Sequence, residues 1–528
     1  MTTLSALSAR QDVWSRLLAR HDVILDAGTL YLVHDSVPPD QARTSDLLTV
    51  ADALETAGVR VRLIRHDFAV PALVVDIAQR DAAMQALRDL GETEPFYVKM
   101  RGRPAMLAVD ADGPGREPAA VRVYRPRLTR TGGLRYGPTY AVRLEFWRFD
   151  DVEATAPRAN VLTRRVTPVE DLAATTVERY GRTWNTFAGM FDPQPDEFTE
   201  DVDIVFSWVD GSSSEFQRRR AAQQKKYIVG DGDDGPARYR HVDELRYALR
   251  SVHMYAPWVR RIFIATDSPA PAWLLEHPRV TIVRSEEFFA DPSVLPTHNS
   301  HAVESQLHRI PGLAEHFLYS NDDMFFGRLV DPSMFFTSAG ITKFVESDVR
   351  IGAGPTRLPR SGHDNALRVN RDLLVRRFGR TIVRDLEHCA TPLRRSVMAE
   401  LEREFAEDVS RTAASRFRAA TDVSVTNSLY HYYALMTGRA VTTRTPRVRY
   451  VQTTTLKALR QMERLSRRDD IDMFCLNDGG ETEVPEQVRT EAVRGALERM
   501  FPVRAPWERA DVSAGREEAR SEHPAGRG

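Results

Sequence analysis

Four short apolar runs restrict most strongly what this chain can fold into: DIVFSW (203–208), RRIFIATD (260–267), RVTIV (279–283) and HFLYS (316–320). DIVFSW is apolar almost without interruption, the pattern of a strand covered on both faces. Between the first two runs, in HVDELRYALRSVHMYAPW, residues Leu245, Ala248, Leu249, Val252 and Tyr255 fall on one helical face, and Pro257 stops the helix. Strand, helix and strand in that order predict an α/β fold with a mainly parallel sheet flanked by helices.

The fourth run carries the densest local pattern. Asn299 or Ser300 caps a predicted helix with apolar positions Ala302, Val303, Leu307 and Ile310, and Pro311 with Gly312 ends it. HFLYS follows and closes on Asn321, Asp322 and Asp323. Asp210 in WVDG and Asp267 in IATD end two other runs in the same way. Strands of one parallel sheet align their carboxyl ends, where ligands of open α/β sheets bind. Two or three carboxylates converging there suit Mg²⁺ or Mn²⁺ shared with nucleotide phosphates, and one can instead position a hydroxyl. An aspartate at a strand end also simply caps the next turn.

Other candidates are scattered. Glu304 and His308 stand four apart on one helical face, whereas Arg309 points elsewhere and can reach a phosphate. His388, in EHCATPL, is the best candidate for a base. Arg418 and Asp422, also four apart, fit a surface ion pair equally well.

The rest of the chain sets the context. Residues 1–195 read as an accessory α+β region, with helices at 46–58 and 76–91, a connecting helix at 169–184 and a polar linker at 192–201. Residues 196–505 form the expected catalytic domain, including a charged loop at 217–240, a helical subregion at about 360–440 with a helix at 426–441, and two late strands, RYVQTTTL and DMFCLND. A tail from about Glu508, within 506–528, lacks periodicity and is expected to be disordered. With 73 Lys and Arg against 74 Asp and Glu, no bulk field favours nucleic acid. Cys389 and Cys475 form neither a disulfide framework nor a metal cluster by themselves. No apolar window spans a bilayer, so a cytoplasmic protein is expected; peripheral work beside membrane assembly machinery and oligomer formation are both compatible with that.

Taken together, four ordered blocks resemble the Stealth family of sugar-phosphate transferases: DIVFSWVDG; HVDELRYALRSVHMYAPWVRRIFIATD through NSHAVESQLHRIPGLAEHFLYSNDDMFFG; EHCATPLRRSVMAELEREF with SRFRAATDVSVTNSLYHYYALM; and FCLND. The resemblance covers about residues 200–480, and Ser268 and Pro269 depart from the glycine and glutamine of many members. It implies a nucleotide-sugar-transferase-like core and transfer of a sugar 1-phosphate from a nucleotide-diphosphate sugar to a carbohydrate or polysaccharide hydroxyl. Matching positions are Asp210, Asp322, Asp323, His388, Arg418 and Asp478. In the expected site, Asp322 and Asp323 hold Mg²⁺ (or Mn²⁺), and His388 or an aspartate takes the proton. Arg418 and Arg309 neutralise phosphoryl charge. Trp208 stacks on the nucleotide, Gly211 lets the backbone approach phosphate, and Asn477 with Asp478 closes the crevice; Asn299, Glu304, His308, Asn321 and Asp422 complete the substrate-binding set. A metal-dependent glycosyltransferase and a non-catalytic carbohydrate-binding or assembly protein are the alternatives.

Overall fold

The computed structural model describes residues 12–34, 36–66, 70–111, 118–130, 133–211, 218, 242–478 and 482–509. The chain divides into two compact units, residues 1–197 with 496–503, and residues 198–495 with 504–528. The expected loop at 217–240 lies outside the described residues except for Arg218.

The first unit contains an eight-stranded sheet in which Pro71–Asp76 pairs parallel with Val142–Phe149, and the latter antiparallel with Ala120–Tyr124. Helices Pro39–Thr56 and Arg80–Gly91 supply Leu47, Val50, Leu54, Ala83 and Leu87 to the core beside Leu73, Val75 and Phe146. The second helix ends where a Cβ on Gly91 would stand 2.7 Å from the backbone nitrogen of Val109, a separation that only glycine permits.

The helix expected at 169–184 is instead a short 3₁₀ turn followed by a hairpin, Ala174–Arg179 against Arg182–Phe187. Thr175, Thr176 and Val177 favour the pleat, and Tyr180 (φ 53°) with Gly181 (φ 75°) makes the two-residue left-handed turn that antiparallel strands require.

The second unit holds the predicted apolar runs. Strand β1 (Val202–Ser207) leads to helix α1 (Glu244–Tyr255), then β2 (Ile262–Ala265) and β3 (Val280–Val283). A short helix α2 (Ser300–Glu304) precedes β4 (His316–Asn321), which turns directly into β5 (Met324–Phe326). Helix α3 (Gly362–Phe378), β6 (Arg384–Leu386), β7 (Thr391–Arg394), α4 (Arg395–Glu404), α5 (Tyr430–Met436), β8 (Val448–Gln452), β9 (Met473–Asn477) and α6 (Glu486–Met500), whose residues from Ala496 onward belong to the first unit, follow.

The central sheet has the order β3-β2-β1-β4-β7, with every pairing parallel except β4 with β7. Helix α1 buries Leu245, Leu249 and Val252, each at most 1% exposed and each contributing about 1.5–3 kcal/mol, and its Ser251 hydroxyl accepts from the amide of Phe326 in β5. The chain as a whole is mixed α/β rather than mainly parallel, because the other sheets are largely antiparallel.

Three more expectations change. The helix from Ser300 stops at Glu304 and only a 3₁₀ turn covers Leu307–Arg309; the Ser305 hydroxyl donates to the carbonyl of Ala302, offering the backbone an alternative to the helix. The helix expected over 426–441 is a π turn at Val425–Leu429 followed by α5. The tail does not begin at Glu508, whose carboxylate is fully buried against Arg250 and Arg246 of α1; residues beyond Arg509 lie outside the described ones.

Candidate active site

The central sheet aligns Ser207, Ala265 and Asn321 across β1, β2 and β4, so Asp210, Asp267 and Asp322 leave it at one end within three residues of that line. Their fates differ. Asp267 is exposed and accepts from the amide of Ser285, the capping role open to any strand-end aspartate. Asp210 is partly buried, and its amide donates to Ser268 Oγ at 2.9 Å, so the residue that departs from the family pattern itself supports the WVDG turn. The amide of Gly211 bonds back to Val209. Trp208 is 3% exposed, so it packs beneath the turn and does not present the expected stacking face.

Asp322 and Asp323 form the turn between β4 and β5, both partly buried. Strand β5 pairs with β9, bringing Met324 opposite Cys475. The Cys475 thiol donates to Asp323 Oδ2 at 3.4 Å, and the carbonyl of Asp323 accepts from Leu476. β9 runs parallel to β8, setting Tyr450 beside Cys475. The Tyr450 hydroxyl accepts from Asn477, and its ring lies 5.1 Å from the ring of His388. The β8–β9 pair thereby places His388 and Asn477 around one tyrosine, with Asp323 on the next residue of the ladder. Burial lowers the pKa of His388, so its neutral, proton-accepting form is favoured. Tyr450 had only an alternating strand pattern to mark it.

A second cluster gathers around Glu304, at the end of α2, beside Tyr319 of β4. Glu304 is 2% exposed, its Oε2 accepting from Thr426 Oγ1 at 2.7 Å and Asn427 Nδ2 at 3.5 Å. Burial raises its pKa, opposed by Thr426 and by the charge of Arg418. Tyr319 donates to Asn321 at 2.8 Å, next to the paired aspartates. Arg418 donates to Ser300 Oγ at 2.8 Å. Asn299 caps α2 by accepting from His301 and gives its amide to Asp422 Oδ2 at 2.8 Å. Asn299 and Asp422 are 1% and 0% exposed, so they fasten the segment that carries Arg418.

Three expected positions stand elsewhere. His308 and Arg309 both bind Glu402 of α4, at 2.9 and 2.8 Å, and not Glu304, because the break after Glu304 turns the chain before residue 308. Asp478 is paired with Arg489 of α6 at 2.8 Å and with Thr453 at 3.4 Å.

Among the described residues, no group of three or more His, Cys, Asp or Glu side chains is arranged to hold a metal ion. Two adjacent carboxylates do fit Mg²⁺ or Mn²⁺ of the kind that keeps waters and shares its sphere with substrate phosphates, since such ions take one or two protein carboxylates.

Burial pushes the Asp422 carboxyl up to about 6, against the opposing amides of Ala419 and Asn299. The folded chain therefore binds this proton more tightly than the unfolded one, and the stability it contributes is present below about pH 4 and lost as pH rises through about 6. Asp422→Asn should remove that slope. Melting midpoints from pH 4 to 7 should fall for the parent relative to the variant, by the equivalent of at most about 3 kcal/mol; parallel curves would refute it.

Stealth protein conserved region 1 matches residues 200–226, region 2 residues 238–344, region 3 residues 387–435 and region 4 residues 463–519. The chain is 51% identical over 497 residues to the exopolysaccharide phosphotransferase CpsY of Mycobacterium tuberculosis, covering 93% of each chain. It is 57% identical over 392 residues to an exopolysaccharide phosphotransferase of Nocardia farcinica, covering 74% of this chain and 77% of that one. With a third, from Streptomyces coelicolor, it shares 38% over 510 residues, covering 92% and 85%. Among the described residues no helix is long and apolar enough to cross a membrane.

Proposed function

The chain belongs to the Stealth protein family, and from that membership we propose that it is a phosphotransferase moving a sugar 1-phosphate from a nucleotide-diphosphate sugar to a hydroxyl of an acceptor saccharide during exopolysaccharide synthesis. In this reading the acceptor oxygen bonds to the phosphorus that carries the sugar. The bond from that phosphorus to the bridging oxygen breaks, and nucleoside monophosphate leaves. The product is a phosphodiester.

The second unit carries the chemistry in this proposal. Asp322 and Asp323 would hold Mg²⁺ or Mn²⁺, which neutralises diphosphate charge when bound. His388, kept neutral by burial, takes the acceptor proton. Arg418, oriented by Ser300, meets charge developing on the phosphoryl oxygens. Asn299, Asp422 and Glu304 fix the elements that present Arg418, and Arg309, engaged by Glu402, is left out. Asn477 holds Tyr450 against His388 from the far strand. The turn from Trp208 to Gly211, at the same end of the sheet, is assigned to the nucleotide. The observation that best supports this reading is the Asp322–Asp323 turn at the sheet's carboxyl end, bonded through Cys475 to the strand pair that also abuts His388.

Incubating purified protein with Mg²⁺, a panel of uridine-diphosphate sugars and candidate saccharides should yield nucleoside monophosphate and a phosphodiester product. Release of nucleoside diphosphate would instead mean a glycosyltransferase and end this reading.

A further inference from the structure

We propose that Tyr450 is a stacking platform on which one pyranose ring of the acceptor saccharide lies beside His388. Assigning that ring to the acceptor, and not to the donor's sugar, rests on the reading above in giving His388 the acceptor proton. Tyr450 stands between matched regions 3 and 4, outside all four, whereas His388 lies inside region 3.

Tyr450 lies on β8, the outer strand of the sheet ordered β5-β9-β8. It is 43% exposed, and among the described residues it is the one aromatic in the set of exposed large apolar side chains. Outer-strand tyrosines are common for their β-propensity alone, but that propensity does not require what this ring does. It packs on the imidazole of His388, with centroids 5.1 Å apart and planes at 56°, and among the described residues no other ring or guanidinium lies over it. Asn477 of β9 donates to its hydroxyl and so fixes the ring, while the phenol O–H itself has no acceptor among the described residues.

A saccharide has two characters, and both are met here. The C–H face of a pyranose is apolar and packs on an aromatic ring, which offers a large rigid contact at little cost in rotamer entropy. Its rim of hydroxyls needs a few placed polar groups. These are the phenol O–H of Tyr450 and, across His388, the imidazole of His363, whose ring is 6.3 Å from that of His388 and whose Nε2 is held by Asp385 Oδ2 at 2.8 Å. Tyr450 also stands opposite Cys475 in the parallel ladder, and the Cys475 thiol donates to Asp323, so the platform reaches from the base toward the turn assigned to the diphosphate. An acceptor hydroxyl attacking phosphorus must lie between those two groups. The ring that flanks both is therefore placed to hold the sugar bearing that hydroxyl. Trp208, the stacking residue expected from the sequence, is 3% exposed and offers no such face.

The test compares the parent with Tyr450→Phe and Tyr450→Leu in the full chain. Binding is read by saturation-transfer NMR with methyl glucosides, galactosides and mannosides as probes, and kinetics with the saccharide that accepts in the product assay. At least one glycoside should take up saturation from the parent and from Tyr450→Phe, most strongly at the C–H protons of one ring face. Tyr450→Leu, which keeps bulk against His388 but has no aromatic face, should lose that signal. The acceptor KM should rise about tenfold in Tyr450→Leu and about threefold in Tyr450→Phe, which loses only the phenol donor. In both, kcat and the donor KM should stay within about twofold of the parent. A tyrosine that only props His388 would instead lower kcat and leave the acceptor KM unchanged, which overturns the proposal. So does a rise confined to the donor KM, or saturation transfer that is absent from the parent or undiminished in Tyr450→Leu. If the parent releases nucleoside diphosphate, the phosphotransferase reading fails on that product, while the NMR comparison still decides whether Tyr450 carries a sugar.

Discussion

Asp323→Asn is expected to lower the rate of nucleoside monophosphate release by about a thousandfold, the scale of losing one preorganised electrostatic group at a reacting centre, while the protein stays folded. Asparagine has the same shape and keeps an oxygen for the Cys475 thiol. The ladder on either side is held by main-chain bonds, including that from the amide of Leu476 to the carbonyl of residue 323. What disappears is one negative charge of the adjacent pair. One remaining carboxylate, Asp322, leaves a divalent ion at this turn with half of the protein charge that the pair supplies, which weakens its hold on the ion and on the diphosphate it shares. The expected pattern is a collapsed rate at saturating donor, with a melting midpoint close to the parent's in buffer and no rise when Mg²⁺ and a uridine-diphosphate sugar are added. Turnover at the parental rate would remove Asp323 from the site.

Glu508→Ala should have the largest effect on stability, about 3–5 kcal/mol, the range for removing one partner of a buried ion pair. The Glu508 carboxylate accepts from Arg250 through both oxygens at 2.7 Å, from Arg246 at 2.7 Å and from the amide of Ala505 at 2.9 Å. Burial opposes ionisation, yet the Arg250 and Arg246 guanidiniums and that amide hold the carboxyl below its ordinary range. The stability it contributes is therefore present above the ordinary carboxylate pKa and lost as pH falls. Next to it, Trp507 is fully buried against the rings of His253 and His277, so the same short segment also closes an apolar surface. Chemical denaturation at pH 7 should show the midpoint falling sharply for Glu508→Ala and less for Glu508→Gln, which keeps the shape. A chain cut after Ala505 loses Trp507 as well and should be destabilised further than the alanine variant; one cut after Arg509 keeps both contacts. A midpoint unchanged in Glu508→Ala would show that the pair is dispensable.

Much of the second unit was legible because its signals are local. Apolar runs of four to six residues, a helical face from Leu245 to Tyr255 and acids at strand ends can each be read within a window of about ten residues. The parallel register then does what such strands must do and brings Asp210, Asp267 and Asp322 to one end. The paired signature of Asp322 and Asp323 also survives folding, since both remain at the β4–β5 turn. Local signals failed where they compete. The stretch at 169–184 has helical spacing, but its β-branched residues and the Tyr180–Gly181 turn favour a hairpin.

By itself the sequence determined the family, the four apolar strands β1 to β4 and the acidic turn that ends β4; it did not give their order in the sheet or the fifth strand, β7. Only the tertiary structure decided which partner each charged group meets. Arg309 and Glu402 are 93 residues apart, Asp323 and Cys475 152, and Arg250 and Glu508 258. No periodicity encodes such pairings, because the packing of distant elements fixes them. For the same reason Tyr450, His363 and Asp385, unremarkable as letters, stand around His388, and Glu508, read as the start of a tail, is a buried anchor.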